Sequence, residues 1–490
     1  MDDEISYGRQ LTRLADQYGD EPAIVLARRD GTESSASWTE LERRATQVAH
    51  LFAERGVVEG DLVVVALPNS IEHVMAAFAA WKAGGSVLPM RHDLPPWERD
   101  RLLALASARV VVADWDDAPP ATISTTDLAA TSDRPTTPLP DSVPKWSRVV
   151  ASSGSTGRPK LIATPIPGVV GNTPLQTVSG ENRQIMLGAS PLYHTNGWQG
   201  GPGGMLEGHR SILMERFDAA LAVDLIERHR VTISILVPTM LMRIARLPDI
   251  RTRDFSSIDR IVYGGASIPE WVVRVWFDLI GPEKFLFSYG SSEGIGIVMT
   301  TGDEWLKHPG TTGVPATCDL KIVDEHGNEV PAGTVGEIYM RSHEAGPPFE
   351  YVGAEMPPAT ADGFRSIGDM GWVDDDGFLY IADRRQDMIV TGGANVFPAE
   401  VEAALSEHPG VADSAVIGLP DEEWGHRVHA IVQPVGPDAA PSEDELRAFC
   451  KERLASYKVP KTFELVDALP RTSAGKINRG ALAEERGATI

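Results

Sequence analysis

The chain has 490 residues, 42% of them hydrophobic and 23% charged, and carries a formal net charge of −24. That length exceeds what one hydrophobic core organises, so at least two domains are expected, one large and one small. The acidity opposes binding to nucleic acid or to an anionic membrane, and no apolar run approaches the length of a membrane span, so an anionic small molecule must meet a local positive site. The start Met1-Asp2-Asp3-Glu4 is acidic where a secretory signal would be basic. The cysteines, Cys318 and Cys450, lie far apart without metal-ligand spacing. Both features predict a cytoplasmic protein with no disulfide and no structural zinc.

Leu62 to Val65 reads as an apolar strand, Pro68-Asn69-Ser70 as a cap, and Ile71, Val74, Met75, Phe78 and Trp81 as residues at helical spacing. The Gly84-Gly85 ending, Val87-Leu88 and Val110 to Val112 continue the alternation, which predicts α/β layering with the Met and Trp stripe in the core. Residues 116 to 145, rich in Pro, Thr, Asp and Ala, predict an irregular connection before the strand-like Val149-Val150. Ile212 to Met214 predicts a strand, Ala219 to His229 a helix, and Ile233 to Val237 a buried strand ending at Pro238.

From about Thr317 the rhythm changes to short strands with acidic glycine turns at Asp324 to Gly327 and Asp374 to Gly377, which predicts a β-rich subdomain. Asp383-Arg384-Arg385-Gln386-Asp387 forms a charged junction before the strand-like Met388-Ile389-Val390. The expected fold class is α/β, with a large N-terminal domain over residues 1–383, a hinge over 384–387 and a small domain over 388–490. No internal repeat is visible.

The segment Ser152-Ser153-Gly154-Ser155-Thr156-Gly157-Arg158-Pro159-Lys160 follows a strand. Glycines there permit close backbone approach, amides and hydroxyls can donate to phosphate oxygens, and Lys160 adds a positive charge. It lacks the Gly-Lys-Ser/Thr order of a Walker loop, which argues against a kinase or P-loop ATPase. Its company is Gly264-Gly265-Ala266, Tyr289-Gly290-Ser291-Ser292-Glu293, Gly368-Asp369, Arg384, Gly392-Gly393-Ala394-Asn395 and Thr472-Ser473-Ala474-Gly475-Lys476-Ile477-Asn478-Arg479. In this order, over nearly the whole chain, these segments resemble the AMP-forming adenylating enzymes, the superfamily of acyl-CoA synthetases, nonribosomal adenylation domains and luciferases.

The resemblance implies roles residue by residue. Ser152, Ser153, Gly154, Ser155, Thr156, Gly157 and Lys160 match the family's phosphate loop at every defined position. Gly264, Gly265 and Ala266 would lie beside the adenine and acyl pocket. Tyr289 would pack on adenine, with Gly290 and Ser292 beside it, and Glu293 would help hold Mg²⁺ against the phosphates, an anionic oxygen being a suitable ligand for that ion. Ser292 stands where the family has threonine and keeps a hydroxyl.

Asp369 would accept hydrogen bonds from both ribose hydroxyls. Ser366 and Ile367 precede Gly368 where the family has Arg-Thr. Arg384 would lie near the ribose at the domain junction, and Gln386 occupies the usual hinge position of an aspartate or lysine; a hinge needs torsional freedom rather than a charge, so rotation is expected to persist with altered rates. Lys476 would enter from a small, mobile α+β C-terminal domain and offset charge as the carboxylate attacks phosphorus. After rotation the loop with Gly392 and Gly393 would replace it and line a pantetheine tunnel. His194, in Tyr193-His194-Thr195-Asn196-Gly197-Trp198, would gate the acyl pocket toward the thiol, and Trp198 would either shape that pocket or pack in the core.

The chain is thus most similar to a stand-alone acyl-CoA synthetase that uses ATP, Mg²⁺ and CoA on a small carboxylate, with an aryl or alicyclic acid preferred over a long fatty acid, as a monomer or homodimer. The alternative acceptors are a carrier-protein thiol, an amine, or an aryl amine receiving nitrite as in ATP-dependent diazotases; the lack of a carrier domain after Ile490 favours a small molecule. A non-catalytic nucleotide sensor would not need Glu293, Asp369 and Lys476 together.

Overall fold

The computed structural model describes residues 5–488 apart from 120, 153–159, 172–181, 266–267, 345, 347, 385–386, 392–393, 422, 437–438 and 472–476, with backbone alone at 152 and 384. The apolar run Leu62–Ala66 is the centre of a parallel sheet between Ser86–Pro89 and Val110–Ala113. Ser70 then caps the helix Ile71–Lys82, its Oγ accepting from the His73 amide at 3.1 Å. Every residue of that helix except Glu72 is buried, because the helices Tyr7–Tyr18 and Trp38–Glu54 cover the side that the sheet leaves open. Its Trp81 meets Tyr7, Phe78 and Trp198 edge-on at ring separations of 5.0, 5.1 and 5.7 Å.

The largest sheet has nine strands among the described residues, in the order Val314–Pro315, Val298–Thr301, Phe285–Tyr289, Arg260–Tyr263, Ile233–Leu236, Ile185–Gly188, Arg210–Met214, Pro22–Ala27 and Glu33–Ser37. The six from Phe285–Tyr289 to Pro22–Ala27 are parallel, so their C-terminal ends line one edge, where the chain leaves the strands for loops. The helix Ala219–His229 forms as its spacing predicts, capped by Asp218. Ile233–Leu236 stops one residue early, because Pro238 begins the next helix rather than merely ending the strand. Residues 116 to 145 are less irregular than their composition suggests. Ser124 and Asp127 make a reciprocal capping box that starts a helix over Thr125–Ala129.

Beyond Thr317 the chain builds a four-stranded antiparallel sheet in the order Cys318–Val323, Gly336–Ser342, Asp369–Val373 and Leu379–Arg384. The Asp324 and Asp374 carboxylates fold the acidic turns by accepting from amides two and four residues ahead. The C-terminal part is α+β: Ala394–Val396, Ile389–Thr391, Gly425–Pro434 and Val411–Asp421 form a sheet, with Thr462–Leu465 parallel to Gly425–Pro434. Helices Pro398–Ser406 and Glu443–Lys451 close its core through Val401, Leu405 and Leu446. Cys318 and Cys450 are both free and buried, and among the described residues no helix is long and apolar enough to cross a membrane.

Two buried histidines tie stability to pH. His73, whose Nδ1 lies 3.0 Å from the Leu67 carbonyl, is pushed by burial from 6.5 down to about 4, and burial, helped by Arg183, brings His209 to about 4 as well. Both are neutral in the fold but take up protons below pH 6.5 once unfolded. Their contribution is therefore complete above that pH and is lost as the pH falls toward 4, at up to about 1.4 kcal/mol per pH unit for each. Urea unfolding between pH 7.5 and 4.5 should show this slope, and His73→Gln should make it shallower.

Candidate functional site

The site grows from a small antiparallel sheet. Arg148–Ser152 pairs with Lys160–Thr164, with Ser152 facing Lys160, and Glu350–Val352 pairs with the other edge of Lys160–Thr164, with Tyr351 facing Ile162. Alternation puts Lys160 and Ile162 on one face, so Tyr351 is the diagonal neighbour of Lys160. The Lys160 Nζ accordingly lies 3.6 Å from the centre of the Tyr351 ring.

Glu293, on the turn after Phe285–Tyr289, joins them. Its Oε1 accepts from the Tyr351 hydroxyl at 2.8 Å and lies 3.6 Å from the Lys160 Nζ. Burial, helped by Glu293, holds the Tyr351 hydroxyl well above the ordinary tyrosine range, so it stays a donor. Both contacts fall on Oε1, and Oε2 has no hydrogen-bond partner among the described residues, which fits a carboxylate able to offer one hard oxygen to Mg²⁺. Among the described residues no group of three or more His, Cys, Asp or Glu could hold a metal, so nucleotide oxygens and water would have to complete the coordination.

Arg148 closes the cluster from the first strand. It donates to the Ser292 carbonyl at 2.8 Å and to the Thr195 hydroxyl at 3.2 Å, joining the turn that bears Glu293 to the segment after His194. Burial pulls its pKa down while Glu293 opposes that, and a guanidinium keeps its charge through such a shift.

A second pairing lies on the edge where the parallel strands end. The Tyr289 hydroxyl donates to Asp369 Oδ2 at 2.7 Å, and Asp369, 7% exposed, sits opposite Arg384 in the strand register. The neighbouring strand Arg260–Tyr263 is followed by Gly264, where a Cβ would come within 2.9 Å of the Ser288 carbonyl oxygen, and then by Gly265 with φ of +101°. Ser366 has its own task in the turn: its Oγ accepts from the Gly368 amide at 3.0 Å and donates to Glu337 at 2.6 Å.

His194 is half-buried at the N-terminus of the short helix Thr195–Trp198, its ring 4.6 Å from that of Tyr193. Trp198 belongs to the core around Trp81, which decides between the two places considered for it. Ser153, Gly154, Ser155, Thr156, Gly157, Ala266, Gln386, Gly392, Gly393 and Lys476 lie outside the described residues, as do the side chains of Ser152 and Arg384. What brackets Lys476 is visible: Arg471 and Ile477 form an isolated bridge, Arg471 pairs with Asp413 at 2.6 Å, and Arg479 pairs with Glu402 at 2.8 Å and Asp387 at 3.2 Å.

The N-terminal and C-terminal parts meet through polar contacts. Asp383 Oδ2 accepts from the Ala399 amide at 3.0 Å, and Arg246 donates to the carbonyls of Ala412 and Val411 at 2.8 and 3.1 Å. A cleft of about 640 Å³ opens beside Arg246, between Trp271 and His408.

Three residues of this arrangement carried no sequence signal of their role. Tyr351 lies in a Gly- and Pro-rich stretch and reaches Glu293 only through strand pairing. Arg148 is a single charge before an apolar pair. Arg479 stands within the Lys476 segment, but its partners are remote in sequence.

Residues 11–346 match the AMP-binding enzyme family and residues 400–476 match the AMP-binding enzyme C-terminal domain. A feruloyl-CoA synthase of Amycolatopsis sp is 33% identical over 95% of this chain and 96% of its own. The 2-succinylbenzoate–CoA ligase of Bacillus licheniformis is 30% identical over 96% and 98%. Among solved structures, o-succinylbenzoate coenzyme A synthetase from Bacillus subtilis in complex with ATP and magnesium ion superposes with a TM-score of 0.81 at 27% identity, covering 98% of this chain and 100% of that one.

Arg479→Met leaves Glu402, whose carboxyl burial already pushes up, without its cation. The substitution should destabilise the fold by about 3–5 kcal/mol, read from denaturant midpoints, and adding Glu402→Leu should recover much of the loss.

Proposed function

The chain belongs to the AMP-binding enzyme family, and from that premise we propose that it activates a small carboxylic acid with ATP and passes the acyl group to CoA. The observation that carries this reading is that two pairs meet the end of the strand Phe285–Tyr289 and the turn after it: Tyr289 with Asp369, suited to a nucleoside, and Glu293 with Lys160, suited to a metal-bound polyphosphate. A carboxylate does not expel hydroxide readily, whereas an acyl-adenylate expels AMP, so splitting the reaction makes the thioester accessible.

In the first step a carboxylate oxygen attacks the α-phosphorus and the bond to pyrophosphate breaks. Lys160 would neutralise phosphate oxygens, Asp369 would hold the ribose hydroxyls, and the Tyr289 ring would cover the base while its hydroxyl orients Asp369. Bound Mg²⁺, held by Glu293, would supply positive charge to the phosphate oxygens. Lys476 would offset the charge shared by the carboxylate and α-phosphate. In the second step the CoA sulfur attacks the acyl carbon, the thiol proton leaves to solvent or base, and AMP departs.

We place the hinge at 384–387, between Asp383, which accepts from the Ala399 amide, and Asp387, which Arg479 holds. Turning there would withdraw Lys476 and bring Gly392 and Gly393 to a pantetheine passage gated by His194. Such a turn has to break the bonds from Arg246 to Val411 and Ala412. An aryl or alicyclic acid is the preferred substrate class, supported by relatives named for feruloyl and succinylbenzoate groups.

Mass spectrometry after incubation with ATP, Mg²⁺ and a panel of aryl, alicyclic and fatty acids, with and without CoA, tests this reading. AMP with a CoA-dependent thioester is expected; ADP would overturn the mechanism, and AMP without thioester would overturn CoA as acceptor. Lys476→Ala should lower adenylation by about 10²–10³-fold while leaving thioester formation from supplied acyl-adenylate largely intact. Equal loss in both steps would remove the lysine from its assigned place.

A further inference from the structure

Tyr351 touches both charges of the phosphate end of the site with one side chain. Its hydroxyl occupies Glu293 Oε1 at 2.8 Å, and its ring faces the Lys160 Nζ at 3.6 Å. A lysine beside a carboxylate in so enclosed a place would ordinarily close to about 2.7–2.9 Å. Here the same oxygen lies 3.6 Å from the ammonium, although the Lys160 and Glu293 side chains are only 18% and 13% exposed. The tyrosine supplies each partner with a substitute: a hydrogen bond for the carboxylate and a π face for the ammonium.

We propose that Tyr351 is a positioning residue, a spacer that holds the Lys160 ammonium and the Glu293 carboxylate 3.6 Å apart instead of in close contact, and so fixes where a phosphate oxygen and the metal would meet them. This rests on the reading of those two residues as phosphate and Mg²⁺ ligands.

The strand pairing makes the arrangement possible. Tyr351 sits opposite Ile162, two residues along from Lys160, and among the described residues Glu350–Val352 is an outer strand of that sheet, paired with Lys160–Thr164. The hydroxyl keeps its proton because burial and the facing carboxylate both oppose ionisation. With phenylalanine the ring remains over Lys160 but Oε1 loses its donor, and the ammonium is drawn onto the carboxylate. Incoming Mg·ATP then has to break that pair, whereas AMP, which carries neither the β- nor the γ-phosphate, does not.

The test is calorimetric binding of AMP, Mg·ATP and ATP in EDTA to the wild-type protein, Tyr351→Phe and Tyr351→Leu, without acid or CoA, together with Mn²⁺ electron paramagnetic resonance in the presence of ATP. Tyr351→Phe should bind AMP within about twofold of wild type and Mg·ATP about tenfold more weakly, with a matching fall in bound Mn²⁺. Tyr351→Leu, which also loses the π face, should weaken ATP in EDTA as well, which phenylalanine affects less. Thermal melting of Tyr351→Phe checks that the fold is kept. Unchanged Mg·ATP affinity in Tyr351→Phe, or an equal loss for AMP and Mg·ATP, overturns the spacer role. Wild-type protein that binds ATP equally with and without Mg²⁺ would instead overturn the reading of Glu293 on which the inference stands.

Discussion

The site depends on the strand Lys160–Thr164 having a partner on each side. One neighbour carries Arg148, the other carries Tyr351, and the strand itself begins with Lys160. Side chains alternate with period two, so a slip of a single residue would turn Tyr351 to the opposite face and separate it from both Lys160 and Glu293. Hydrophobic packing holds the register: Val150, Ile162 and Ile295 are buried in one core with Phe349 and Ile338, and Tyr351 packs against it. The same apolar contacts that stabilise the sheet thus fix the spacing of charges above it.

Electrostatics act locally against the overall balance. A chain with net charge −24 repels polyphosphates at long range, yet Lys160 and Arg148 each stand near Glu293, where little solvent screens them. Burying Arg148 is tolerable because its donors meet a carbonyl and a hydroxyl, and because Glu293 lies near enough to favour its charge. The guanidinium also ties the 292–293 turn to the 194–195 segment, so the two segments share one fixed point.

Much of the fold was legible because its elements announce themselves locally. The strand Leu62–Ala66, the cap at Ser70, the helices Ile71–Lys82 and Ala219–His229 and the acidic turns at Asp324 and Asp374 all follow from short-range spacing. The helix at Thr125 was legible in principle through Ser124 and Asp127, but the surrounding Pro and Thr masked it. Long-range pairing left no such trace: nothing in Glu350–Val352 says that it joins Lys160–Thr164. At the candidate site, Tyr289, Glu293 and Asp369 stand out in the chain as members of contiguous motifs, and the structure brings Tyr289 to Asp369 and Glu293 to Tyr351. Tyr351 and Arg148 reach Glu293 and its turn through geometry that only tertiary structure creates, and Trp198, ambiguous by composition, is settled by its neighbour Trp81.

The grip of Arg246 on the C-terminal domain is made to main-chain carbonyls at Val411 and Ala412, not to their side chains. A carbonyl is present whatever amino acid occupies a position, so mutational drift at 411 and 412 can proceed without erasing the acceptors. A single codon change at 246 erases the donor. The burden of preserving this docked arrangement therefore falls on one of the two surfaces, and the other is left open to diversify.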